Sequence, residues 1–203
     1  MSKRVYISAD YSEESGDRDV VNTLNQWGSD NYHKIDFVDM AKVVSGSVSN
    51  DPDCRIGDLK EEFNSQINAS SAVIVVIGDK TASRTAGSSC SRNSKQQKEC
   101  YCTPYKQNTK GLKICKISSI VDVAPDGDVG NINSYSYLRH EFEQAKRRKK
   151  KIIVVYNSLY KKPSWIPSYM QEYEESAQPF WIKNSSGSKI GNYDYIKQEL
   201  GYV

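Results

Sequence analysis

Two short stretches do most to limit how this chain can fold: "AVIVVI" at residues 72–77 and "KIIVVY" at residues 151–156. Both are nearly unbroken apolar runs dominated by β-branched side chains. A strand with one wet face alternates apolar and polar residues. A continuous run instead fits a strand covered on both faces, the usual state of strands in a parallel sheet. The segments around them suit that reading. "KRVYIS" predicts a strand at about 3–8, and "KIDFV" another near 34–38. Val20, Val21, Leu24 and Trp27 recur at helical spacing, which predicts a helix over about 17–27 with Gly28 as its stop. Ile56, Leu59, Phe63 and Ile67 predict a second helix, after a loop at 44–54 rich in turn formers. Near the C-terminus, "PFWI" reads as a short strand and residues 193–200 as a last helix. Buried strands alternating with amphipathic helices predict an α/β fold, a parallel sheet with helices on both faces.

Residues 82–136 break this rhythm. They show little periodicity and are rich in Ser, Gly, Asn, Lys and Cys. A structureless loop of that length is unusual in a compact domain. The chain therefore reads as a single domain, 1–203, with an insertion at about 82–136 after the third strand.

Composition excludes several partners. A net charge of +3 is too small to argue for nucleic acid. No apolar run approaches the ~20 residues of a membrane helix. The N-terminal segment has basic residues but no hydrophobic stretch fit for a signal peptide. Five cysteines, odd in number and irregularly spaced, then suit free thiols in a reducing cytoplasm.

Open parallel sheets bind ligands beyond the C-terminal ends of their strands, where the strand order reverses. In the five-strand flavodoxin-like order that crevice lies between strands one and three. The residues leaving those strands are "SADYSEE" (8–14) and "GDKTASR" (78–84). The helix after strand three begins on the same edge and carries two glutamates. On a helical wheel Leu138, Phe142 and Ala145 form its apolar stripe. Glu143 falls on the opposite side, four residues from both Arg139 and Arg147, a usual surface ion-pair spacing. Glu141 falls on the margin of the stripe. The plain reading of Glu141 is a carboxylate near a helix N-terminus, favoured by the helix dipole.

Three motifs taken together change that weighting. "KRVYISADY", "SAVIVVIGDKTASR" and "YLRHEFEQAKRRKKKIIVVY", in this order, resemble the TIR-like domains of the DUF1863 group, which includes the ThsB proteins of Thoeris antiphage defence. The resemblance covers roughly the first 80 residues and positions 137–156. It implies a flavodoxin-like fold and cleavage of the nicotinamide–ribose bond of NAD, which is the substrate; no cofactor or metal is implied. The family's W-x-x-x-E-like motif corresponds to Tyr137-Leu-Arg-His-Glu141, so the resemblance assigns the catalytic carboxylate to Glu141 and an aromatic platform to Tyr137. Ser8, Asp10, Tyr11, Gly78, Asp79 and Lys80 become candidates for the pocket wall, although turn chemistry at strand ends is the simpler reading of each. Products in such families are ADP-ribose, cyclic ADP-ribose isomers or conjugates, which act as signals to an effector protein. Homo-oligomers built through TIR-like contacts also belong to this picture. This sequence departs from the family pattern in three places. Tyr137 stands where Trp is usual, Ala9 stands where an aromatic is common, and about fifty residues separate the "GDKT" motif from the helix. A non-catalytic TIR-like interaction module is the alternative. A receiver-like domain is disfavoured because no phosphoacceptor Asp ends strand three.

The chemistry agrees with the resemblance. Losing nicotinamide builds positive charge on the ribose, which one carboxylate can stabilise, and the neutral leaving group needs no acid. Other motifs carry less. Cys90, Cys100, Cys102 and Cys115 lack paired C-x2-C spacing, which favours free or packed thiols over zinc. "KRRKKK" (146–151) reads as cations satisfying a helix C-terminus rather than as a polyanion site. "GDKT" lacks the Walker glycine before Lys80, and there is no G-x-G-x-x-G, so P-loop and dinucleotide-oxidoreductase readings fall away. "DVAPDGDVG" lacks calcium-loop spacing. His140 points about 100° away from Glu141 on the helix, which argues against a dyad.

Overall fold

A computed structural model describes residues 3–10, 15–29, 35–40, 52–84, 105–107, 113–115 and 136–202. Its centre is a parallel sheet of five strands, β1 (Lys3–Ser8), β2 (Ile35–Asp39), β3 (Ala72–Ile77), β6 (Lys151–Tyr156) and β7 (Gln178–Pro179). They lie in the order β2-β1-β3-β6-β7. This is the flavodoxin-like order, and its reversal falls between β1 and β3, where Val5 to Ser8 pair with Ala72 to Val75. Every residue of β3 is buried, as its unbroken apolar run requires. In β1, period-two alternation sends Val5, Ile7 and Ala9 into one core layer and Tyr6 into the other.

Helices α1 (Asp17–Ser29) and α4 (Tyr193–Glu199) cover the first layer through Val20, Val21, Leu24, Ile196 and Leu200. Helices α2 (Pro52–Ala69) and α3 (Tyr137–Arg147) cover the second through Phe63, Ile67, Phe142 and Ala145. No helix among the described residues is long and apolar enough to cross a membrane.

Several expectations need correction. Helix α1 runs through Gly28 to Ser29 rather than stopping there. A Cβ on Gly28 would lie 3.1 Å from the Phe37 ring and 3.2 Å from the Ile35 carbonyl, so this glycine lets the helix lie close to β2. The loop expected at 44–54 already gives way to α2 at Pro52, a residue well suited to a first helical turn; the rest of it lies outside the described residues. "PFWI" does not form one strand. Pro179 ends β7 of the main sheet, while Trp181 opens β8 (Trp181–Lys183), which pairs antiparallel with β9 (Lys189–Gly191). Within the expected insertion, the described residues form a short antiparallel pair, β4 (Tyr105–Gln107) and β5 (Lys113–Cys115). The other cysteines of that stretch lie outside the described residues.

The basic run 146–151 keeps part of its expected role, with Lys146 and Arg147 in the last turn of α3. Lys149 takes a left-handed conformation, φ 52°. Its N–H reaches the Lys146 carbonyl (2.9 Å) and the Lys150 N–H the Ala145 carbonyl (3.0 Å), the double bond of a Schellman ending. The Lys150 ammonium does not serve its own helix. It donates to the carbonyls of Asn68 (2.8 Å) and Ser70 (2.6 Å) and so caps α2. At the same edge of the sheet, the Lys3 N–H donates to the Tyr202 hydroxyl at 3.2 Å, and the Lys3 ammonium donates to the Leu200 carbonyl. The first strand and the last helix are thereby joined.

Candidate functional site

Helix α3 opens with Ser136 as its N-cap, the hydroxyl accepting the Arg139 N–H at 3.0 Å. The helix then lies against α2 with His140 Nε2 2.9 Å from Asn64 Oδ1 and Gln144 Nε2 donating to Asn68 Oδ1 at 3.3 Å. His140 thus faces α2, as its angle on the wheel requires, and Glu141 turns toward the sheet. Glu141 is buried, only 3% exposed, deeper than a place on the margin of the stripe implies. Two hydroxyls of β1 meet its carboxylate: Tyr6 donates to Oε1 at 2.7 Å and Ser8 donates to Oε2. Tyr6 and Ser8 are two residues apart, so the pleat points both toward α3. Burial pushes the Glu141 carboxyl from the usual range up to about 7, against the opposing pull of the Ser8 and Tyr6 hydrogen bonds. Glu143 is half-exposed on the other side, where Lys146 pairs with Glu172 at 2.6 Å.

The other candidates divide between two sides of β1. Ser8 stands with Glu141. Asp10 turns toward α1; its carboxylate pairs with Arg84 at 2.6 Å and its N–H donates to Asp17 Oδ2 at 3.0 Å. Gly78 is buried behind Asp17, and its N–H donates to Thr81 Oγ1 at 2.8 Å. Asp79 is exposed, and the Lys80 carbonyl accepts the N–H groups of Ser83 and Arg84, both at 3.1 Å, in the turn after β3. Tyr137 packs edge-on against Phe63, centroids 5.5 Å apart, beside the core layer that holds Tyr6. Tyr11 lies outside the described residues.

Sequence reasoning missed three participants. Tyr6 lies in the predicted first strand, and its position two before Ser8 was a usable signal. Asp17 is fully buried at the start of α1, with its carboxyl pushed up to about 7 chiefly by burial. Asn157, just past β6, donates to Asp17 Oδ1. No local pattern links Asp17 to a residue 140 positions away. Among the described residues no cluster of His, Cys, Asp or Glu has the arrangement of a metal site.

The strand order and the helices on both faces define a flavodoxin-like α/β domain. Residues 6–86 match the family model of the TIR-like domain of Thoeris protein ThsB. The matched segment includes Tyr6, Ser8, Asp10, Asp17 and Gly78 and ends before Glu141. No curated protein and no solved structure gives a match.

Proposed function

We propose that this protein cleaves the nicotinamide–ribose bond of NAD, with Glu141 as the catalytic carboxylate, and releases an ADP-ribose-derived signal. The observation that carries this reading is the buried Glu141 carboxylate, held by Tyr6 and Ser8 at the C-terminal end of β1. That end is the ligand-binding edge of a sheet of this order. The C1′–N bond breaks with its electron pair moving onto nicotinamide, which leaves neutral. The ribose becomes an oxocarbenium-like cation. An ionised Glu141 stabilises that cation, and the weak screening around a buried group strengthens the effect. Water then adds at C1′ and releases a proton to give ADP-ribose, or an internal nucleophile adds to give a cyclic isomer. Each carboxylate oxygen has a second lone pair beyond the hydroxyl it already accepts, available to a ribose hydroxyl. In this reading the product acts on an effector protein in the cytoplasm.

The depth of Glu141 favours one other reading. A carboxylate 3% exposed and doubly hydrogen-bonded is also a way to fix α3 on the sheet in a non-catalytic interaction module. Nicotinamide release from NAD, followed by chromatography, separates the two. Wild-type turnover that disappears in Glu141→Gln and persists in Glu143→Gln supports the enzyme. Turnover unchanged in Glu141→Gln refutes the assignment.

A further inference from the structure

On the face of β1 opposite Glu141, a second buried carboxylate gathers three strand ends. Asp17 Oδ2 accepts the Asp10 N–H at 3.0 Å, which holds the chain leaving β1. Asp17 Oδ1 accepts the Asn157 side-chain amide, which holds the chain leaving β6. Asn157 is itself docked on β3 through its N–H to the Ile77 carbonyl at 2.9 Å. The residue leaving β3 is Gly78, and a Cβ there would lie 2.7 Å from Asp17 Oδ1 and 2.9 Å from Asn157 Nδ2. Any side chain at Gly78 therefore displaces the pair. Arg84, in the turn after β3, reaches across to Asp10 at 2.6 Å and closes the ring of contacts.

Glu141 takes one of its two hydrogen bonds from Ser8, only two residues before Asp10. The direction in which the chain leaves β1 sets where the Ser8 hydroxyl points. We infer that Asp17 is a positioning residue, which ties the ends of β1, β3 and β6 together and thereby fixes Ser8 under the Glu141 carboxylate. Gly78 then acts by leaving room for this clasp rather than by touching a ligand. The inference deepens the proposed function but concerns the geometry of Glu141, which can be read without any turnover.

The test is the titration of Glu141, followed by NMR in protein carrying 13C-labelled glutamate carboxyls, its signal assigned by its loss in Glu141→Gln. Asp17→Asn keeps the shape: its carbonyl still accepts the Asp10 N–H, and its amide donates to Asn157 once that side chain flips. Asp17→Ala removes the clasp, so the two variants differ in geometry and not in charge. With Ser8 displaced, the carboxylate loses a donor and its midpoint rises. The midpoint of Asp17→Ala is expected at least about half a pH unit above that of Asp17→Asn, an approximately threefold change in proton affinity. Gly78→Ala is expected to rise similarly above wild type and provides the answer if Asp17→Ala does not fold. Gly191→Ala is the control, because its Cβ would meet the Trp27 ring at 2.7 Å, about three turns or ~15 Å along α1 from Asp17. It should leave the midpoint in place. Midpoints unchanged in Gly78→Ala and equal in the two Asp17 variants overturn the inference, as does an equal rise in Gly191→Ala. A wild type that leaves NAD intact refutes the proposed activity and leaves this result standing.

Discussion

Replacing Glu141 by Gln should make the protein more stable at alkaline pH while abolishing the proposed activity. The folded state holds the Glu141 carboxyl at about 7, against 4.5 for an ordinary glutamate. Between those two values the unfolded chain has released this proton and the folded chain keeps it. The folded state therefore binds more protons, and stability falls as pH rises through the window. Below about 4.5 the penalty is absent, and above about 7 it is complete. A displacement of roughly 2.5 units at 1.36 kcal/mol each makes the full penalty about 3 kcal/mol. Gln is nearly isosteric, carries no charge, and can accept from Tyr6 while its amide donates to the rotated Ser8 hydroxyl. Urea unfolding of both proteins, monitored by tryptophan fluorescence from pH 4 to 8.5, measures the difference, in which all other titrating groups cancel. Near pH 4 the two should agree within about 1 kcal/mol. At pH 8 the Gln variant should lead by about 3 kcal/mol, or roughly 6–12 °C in Tm for a chain of this size. A difference that stays flat across the range, or a Gln variant that is the weaker at pH 8, refutes the assignment of burial as the dominant influence on Glu141.

Other outcomes follow from the same geometry. If ionised Glu141 is the active form, kcat/KM for NAD should rise with pH and reach half its plateau near 7, measured as initial rates of nicotinamide release. Tyr6→Phe removes the donor at Oε1, so it should raise the Glu141 midpoint further and cost roughly 1.5–3 kcal/mol at pH 8, less at pH 5, by urea unfolding. Lys149→Gly relieves a left-handed residue at the end of α3 and should stabilise by about 1 kcal/mol, seen as a higher urea midpoint. Gly191→Ala forces Trp27 and Phe180 to move, and should lower stability by about 1–3 kcal/mol in the same assay.

The sheet was legible where burial leaves a mark on short windows. The runs at 72–77 and 151–156 are apolar throughout because both faces of β3 and nearly all of β6 are covered, and that alone indicated a parallel sheet. Gly28 was misread because a glycine looks the same whether it ends a helix or lets one approach a strand. Only the position of Phe37 distinguishes the two. Glu141 was found by its place on a wheel together with the family resemblance, but its depth depends on Tyr6 and Ser8, more than 130 residues earlier. Asp17 was read as the start of a helix, where an acidic residue is ordinary. Its partner Asn157 follows β6, 140 residues later in the chain, and contacts of that sequence separation leave no periodic trace. Gly78 was placed correctly at a strand end, while its clearance for the Asp17–Asn157 pair belongs to packing.

The bond between Lys3 and Tyr202 has a practical consequence for handling the molecule. It sets the two ends of the described chain side by side at the start of β1. Glu141 meets β1 at its other end, with Ser8 roughly 16 Å along the strand. A fluorescent protein, affinity handle or surface tether joined next to Lys3 or Tyr202 lies at the opposite end of β1 from Glu141. A short linker between the two ends would yield a circular permutant, opened for instance at the exposed Asn184–Ser188 turn of the β8–β9 hairpin, with the clasp and the carboxylate untouched.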